Sequence, residues 1–144
     1  MKTVEECLKK NRLKRATISA EMIQKELAIG KEDLSEAANG LERKAFKWTT
    51  IQAYYSTFHA MRALLFKAGY REESHAALKI AIKELYVISG KLSKDSFLAF
   101  ERGMELRELA DYKATFSEET ARWLVEHGKT VIEEVDKLVT TPHG

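Results

Sequence analysis

The chain has 144 residues, 44% of them apolar and 32% charged, with a formal net charge of +2. That length suits one domain, 1–144, burying roughly two-thirds of its unfolded surface, and the balance is neither that of a disordered chain nor that of a membrane protein. The net charge does not by itself imply a nucleic-acid partner, the lone Cys7 excludes an internal disulfide, and no run reaches the ~18 apolar residues of a membrane span or resembles a signal peptide. A cytoplasmic setting is expected.

In chain order, residues 4–13 read as a short helix or arm. Residues 1–15 carry Lys2, Lys9, Lys10, Arg12, Lys14 and Arg15 against Glu5 and Glu6, so the arm is either a solvated face or a phosphate contact. A helix is expected over 18–39, with Ile23, Leu27, Gly30, Leu34, Ala37 and Leu41 on one stripe and Asn39-Gly40 as its stop. The longest helix, 44–68, has a main stripe of Trp48, Ile51, Tyr55, Phe58 and Leu65 and ends at Gly69. Ser74 caps a helix over 75–88 whose Leu78, Ala81, Ile82, Leu85 and Ile88 face inward. Ser93 or Asp95 caps the next, which runs to Ala110, and Asp111–Phe116 is a connector. Ser117 caps the last helix, with Leu124, Gly128, Val131, Val135 and Leu138 as its seam; Gly128 suggests a close helix crossing. Pro142 stands two residues from the end, so no proline interrupts a helix. No period-two pattern suggests a sheet. The expected fold is an all-α, antiparallel up-and-down bundle of four long helices plus a short N-terminal helix.

Phosphate loops of the P-loop or dinucleotide type are absent, as are a cysteine pair and a His-x-x-x-His zinc pattern, so no metal or cofactor is expected. His143 lies in the tail, and His127 reads as packing or surface. Gln52, Tyr55, His59, Arg62 and Phe66 fall at steps of three and four and share one face, which mixes polar and aromatic groups as a pure core would not. His59 is either a satisfied structural histidine or part of a site, and His75 opens its helix after a polar loop. Glu101, Glu105, Arg107, Glu108, Asp111 and Tyr112 crowd one helix end. Arg107 and Asp111 are four residues apart. They form either a surface ion pair or a guanidinium oriented by a carboxylate for a phosphate.

Three segments in order carry a resemblance. Ala53-Tyr54-Tyr55-Ser56-Thr57-Phe58-His59-Ala60-Met61-Arg62-Ala63-Leu64-Leu65 resembles the signature helix of the HEPN superfamily (higher eukaryote and prokaryote nucleotide-binding domains). Gly69-Tyr70 with Ser74-His75 resembles the glycine and histidine that follow in small prokaryotic members. Glu105-Leu106-Arg107-Glu108-Leu109-Ala110-Asp111-Tyr112 resembles their arginine-to-Ala-Asp-Tyr element. The resemblance implies a helical bundle that commonly dimerises around a shared cleft, so a two-fold homodimer is expected, with the Tyr55, His59 and Arg62 face lining its junction. Many members are metal-independent ribonucleases with an R-x(4–6)-H pattern. Others are binding modules, and small ones often accompany a minimal nucleotidyltransferase as toxin–antitoxin pairs.

Here the residues after Arg107 and Glu108, where that histidine falls, are Tyr112, Lys113 and Ala114. A tyrosine, with an ordinary pKa near 10, is a poor general base at neutral pH. The sequence therefore favours a module that binds nucleotide or RNA phosphate, with Arg107 on the phosphate, Asp111 orienting it, and Tyr55, His59, Arg62 and Tyr112 alongside. A ribonuclease using His59 or His75 as the base is the second reading, and a plain interaction bundle the third.

Overall fold

The computed structural model of the protein describes residues 1–141. The readings of Pro142 and His143 lie outside them. The elements are α1 (Val4–Lys9), β1 (Leu13–Arg15), α2 (Ala20–Glu42), α3 (Phe46–Lys67), β2 (Tyr70–Glu72), α4 (His75–Ile82), α5 (Lys94–Tyr112) and α6 (Glu118–Thr140). About three-quarters of the chain is helical, as its patterning predicts.

Local chemistry sets the helix starts. Thr3, Ser19, Ser74, Ser93 and Ser117 each accept a hydrogen bond from the amide three residues on, satisfying one free donor per helix. Ser93, not Asp95, caps α5. The end of α6 is closed from outside its own sequence. The Lys67 ammonium donates to the carbonyls of Leu138 (2.8 Å), Val139 (2.9 Å) and Thr141. Burial there, and to a smaller degree Lys91, lowers the pKa of Lys67.

The long helices α2, α3, α5 and α6 form the bundle, with α3 at its centre. Fourteen of its residues are buried, from Thr49 and Thr50 near its start to Phe66 near its end, as befits a helix enclosed on most sides. Gly30 sits where α2 crosses α3. A Cβ there would stand 3.0 Å from the Ser56 carbonyl oxygen, and Ser56 Oγ donates to the Gly30 carbonyl at 2.8 Å. Antiparallel order follows from the matching pairs Gly30–Ser56 and Gly40–Thr49 on α2 and α3, and Gly103–Leu124 and Ser96–Glu134 on α5 and α6.

Several expectations are corrected. β1 and β2 form a small antiparallel ribbon, pairing Leu13 with Glu72, Lys14 with Arg71 and Arg15 with Tyr70. Three-residue strands are too short to display an alternating pattern. Asn39-Gly40 does not stop α2, which runs to Glu42 and turns at Lys44, in the left-handed region at φ 63°. Gly40 instead gives room: a Cβ would lie 2.7 Å from Thr49 Oγ1. Trp48 is 59% exposed, outside the core stripe. Ile88 is 73% exposed, because a π-helical turn at Lys83–Val87 follows α4 and shifts the helical register. The same turn buries Tyr86, whose hydroxyl donates to the Leu64 carbonyl at 2.7 Å. Burial pushes the pKa of that phenol up to about 12. Finally, α5 reaches Tyr112, so Asp111 and Tyr112 belong to a helix and not to the connector.

Candidate functional site

Arg107 lies near the end of α5, where that helix passes α3. Its side chain is only 19% exposed, although it carries a charge. Aromatic rings take the place of water around it. The guanidinium lies over the Tyr55 ring at 5.5 Å and the Tyr112 ring at 5.6 Å, both within the range of cation–π attraction. One terminal nitrogen, Nη2, donates to the Tyr55 hydroxyl at 3.1 Å and stands 3.5 Å from Asp111 Oδ2. Arg107 Nε is buried with no hydrogen-bond partner among the described residues. Buried donors are rarely left so. Arg107, Asp111, Tyr55 and Tyr112 are thus one cluster. Tyr112 is its exposed wall, with 69% of its surface in solvent.

His59 and Arg62 belong to a neighbouring network further along α3. His59 Nδ1 is 2.6 Å from Glu26 Oε1, and its Nε2 is 3.7 Å from Asp33 Oδ2. Arg62 Nε is 3.1 Å from Glu72 Oε2, and its Nη1 is 3.8 Å from Glu26 Oε1. One guanidinium, one imidazole and three carboxylates are collected from α2, α3 and the ribbon. Desolvation raises the pKa of the Asp33 carboxyl, while His59 pulls it down. No hydrogen bond or ion pair joins His59 to Arg107. The Tyr55 ring touches both sides, 6.4 Å from the His59 ring between centroids.

His75 is exposed at the start of α4. Its Nδ1 lies 3.3 Å from the Tyr54 hydroxyl, and its ring packs 5.0 Å from Phe58. Burial, and then Tyr55, raise the Tyr54 pKa, while Arg107 acts in the opposite direction. Tyr54 is therefore a neutral phenol under the cluster. Glu26, Asp33 and Glu72 were missed in the sequence. A signal for two of them exists: Glu26 and Asp33 stand three residues after Ile23 and Gly30, on the edge of the α2 stripe. Among the described residues, no group of three or more His, Cys, Asp or Glu side chains is placed to hold a metal ion.

Residues 23–138 match the sequence profile of the HEPN domain. The chain belongs to the HEPN domain family. A protein of Methanocaldococcus jannaschii that carries the provisional name of a toxin is 26% identical over 120 residues, covering 83% of this chain and 90% of that protein. A "UPF0332 protein" of Thermotoga maritima is 24% identical over 111 residues, covering 76% of this chain and 84% of that protein. Both the signature helix, α3, and the Arg107-to-Tyr112 segment fall within the HEPN match. The arm before residue 23 precedes it. No helix among the described residues is long and apolar enough to cross a membrane.

Proposed function

We propose that this HEPN protein is a toxin-like binding module that takes a phosphate of nucleotide or RNA at Arg107. The observation that carries the reading is the state of that side chain. It is mostly buried, held against two tyrosine rings, and fixed through Nη2 by Tyr55 and Asp111, while Nη1 makes no hydrogen bond among the described residues and is the nitrogen open to a ligand. A guanidinium oriented in this way offers a directional donor to a phosphate oxygen. Asp111 is the orienting group, and Tyr112 is the exposed ring against which a base or sugar rests.

Binding is favoured over cleavage by the surroundings of His59. Both of its ring nitrogens face carboxylates, at 2.6 and 3.7 Å, which leaves neither directed at Arg107. The toxin-like role draws on the provisional name of the Methanocaldococcus relative. A minimal nucleotidyltransferase is the proposed partner, as the family resemblance implies. A homodimer is proposed through the outer face of α5, where Leu98 and Leu109 are exposed and Phe116 follows.

The test of binding against cleavage is incubation of the purified chain with single-stranded RNA in EDTA. The expected result is retention of RNA on the protein with no cleavage. Robust cleavage abolished in both Arg107→Ala and His59→Ala would replace this reading with the ribonuclease.

A further inference from the structure

We infer that the basic ribbon made by the N-terminal arm extends the Arg107 site into a track for a single-stranded polynucleotide; this rests on the phosphate-binding reading above. The arm lies before the residues that match the HEPN profile, so it stands outside the matched domain. Pairing of β1 with β2 sets Lys14 opposite Arg71 and Arg15 opposite Tyr70. Leu13 alone of β1 is buried, which anchors the ribbon and leaves Lys14 and Arg15 outside. Packing would be served by Leu13 and the ladder without the cations.

From the ribbon, arginines and rings adjoin one another along α3 towards Arg107. Arg15 Nη1 donates to the Tyr70 hydroxyl at 3.3 Å. Arg71 and Arg62 both lie over Phe66, at 5.8 and 5.4 Å, and Arg62 also lies over Phe58 at 5.7 Å. Phe58 packs edge-on against Tyr55, which carries Arg107. From Phe66 back to Tyr55 the helix rises roughly 16 Å at ~1.5 Å per residue. That span suits a strand of several nucleotides.

Carboxylates on this path are already engaged: Glu72 with Arg62, Glu26 with His59 and Arg62, Asp33 with His59, and Glu73 with Lys14 at 3.4 Å. Arg12, Arg15 and Arg71 have no carboxylate partner among the described residues. Buried Phe58 and Phe66 form the floor that holds the guanidinium planes. Tyr70 and Tyr55 are half-buried and Tyr112 is exposed. Cations for phosphates, with rings and guanidinium planes for unstacked bases, are what binding a single strand requires.

The experiment compares a trinucleotide, a 15-nucleotide single-stranded RNA and a duplex of the same length on the full chain and on two variants. Arg107→Ala should weaken both single-stranded ligands. The double variant Arg15→Gln with Arg71→Gln should keep trinucleotide affinity and bind the 15-mer several-fold more weakly. It should also lower the salt slope by about 1.4, since each single-strand phosphate that a cation neutralises adds ~0.7 to that slope. Arg12→Gln, at an exposed side chain, gives a second reading in the same direction if the double variant melts early. Unchanged 15-mer affinity and slope in both ribbon variants overturn the track. If Arg107→Ala still weakens the trinucleotide, the site itself survives that result. An equal weakening of the trinucleotide and the 15-mer, or a duplex bound as tightly as the single strand, also overturns the track. A wild-type chain that binds no RNA overturns the phosphate-binding reading beneath it.

Discussion

Arg107 does more for the fold than an i,i+4 pair on a helix surface would. Sequence spacing alone makes its contact with Asp111 worth a few tenths of a kcal/mol. The structure adds two ring contacts and a hydrogen bond to Tyr55. Arg107→Ala should therefore cost roughly 1–3 kcal/mol, several degrees in a thermal melt of a chain this size. A melt within one degree of wild type would show that the tyrosines do not depend on the guanidinium. Asp33 provides a test of the second network. Its carboxyl pKa is raised by burial, so the folded state holds that proton more tightly than the unfolded one. The contribution to stability is full below the unfolded pKa and is lost as pH rises through the folded value. Asp33→Asn should thus melt higher than wild type at pH 7, with the gain shrinking as pH falls towards 4. Melts at several pH values check it, and a variant that is less stable at pH 7 would mean that the His59 contact outweighs desolvation.

At the scale of elements, two glycines separate close approach from helix propensity. Gly30 faces a backbone carbonyl oxygen, which cannot move aside, and a Cβ would lie 3.0 Å from it. Gly128 would bring its Cβ equally close to Leu34, but to the tip of a flexible side chain. Gly30→Ala should destabilise by about 1–3 kcal/mol through overpacking. Gly128→Ala should be near neutral or stabilising, because alanine recovers up to ~1 kcal/mol of helix propensity. Equal losses in denaturant unfolding of the two variants would contradict this. The starts of α4, α5 and α6 were legible because their serine caps and apolar stripes are local signals, whereas α3 starts after Ala45 with no side-chain cap. The ends of α2 and α5 were not legible. Asn39-Gly40 resembles a stop, but Gly40 serves the contact with Thr49, and the left-handed turns fall to Lys44 and Ala114. The π-helical turn that expels Ile88 has no sequence mark of its own.

For the whole molecule, the architecture was readable and the grouping of the site was only half so. The steps along α3 put Tyr55, His59 and Arg62 on one face, and the structure keeps them there, half-buried. What one helix cannot disclose is which neighbour each side chain meets. Tyr55 meets Arg107 across the α3–α5 contact, whereas His59 and Arg62 meet Glu26, Asp33 and Glu72 from the other side. The exposed Leu98, Leu109 and Phe116 lead us to expect a two-fold dimer. Sedimentation at tens of micromolar should give twice the chain mass and, for Leu109→Glu, the mass of one chain. A wild-type chain that stays monomeric would remove α5 as an interface.

The phosphate site is tested most directly by calorimetric titration of a short single-stranded RNA into folded wild-type protein, Arg107→Ala and Arg107→Lys, well below the melting temperature of each. A charge-assisted hydrogen bond to phosphate is worth about 1.5–3 kcal/mol. Arg107→Ala should therefore bind roughly ten- to a hundredfold more weakly, and Arg107→Lys should recover only part of the loss, because an ammonium lacks the planar fork. Equal affinity in wild type and Arg107→Ala would contradict the account.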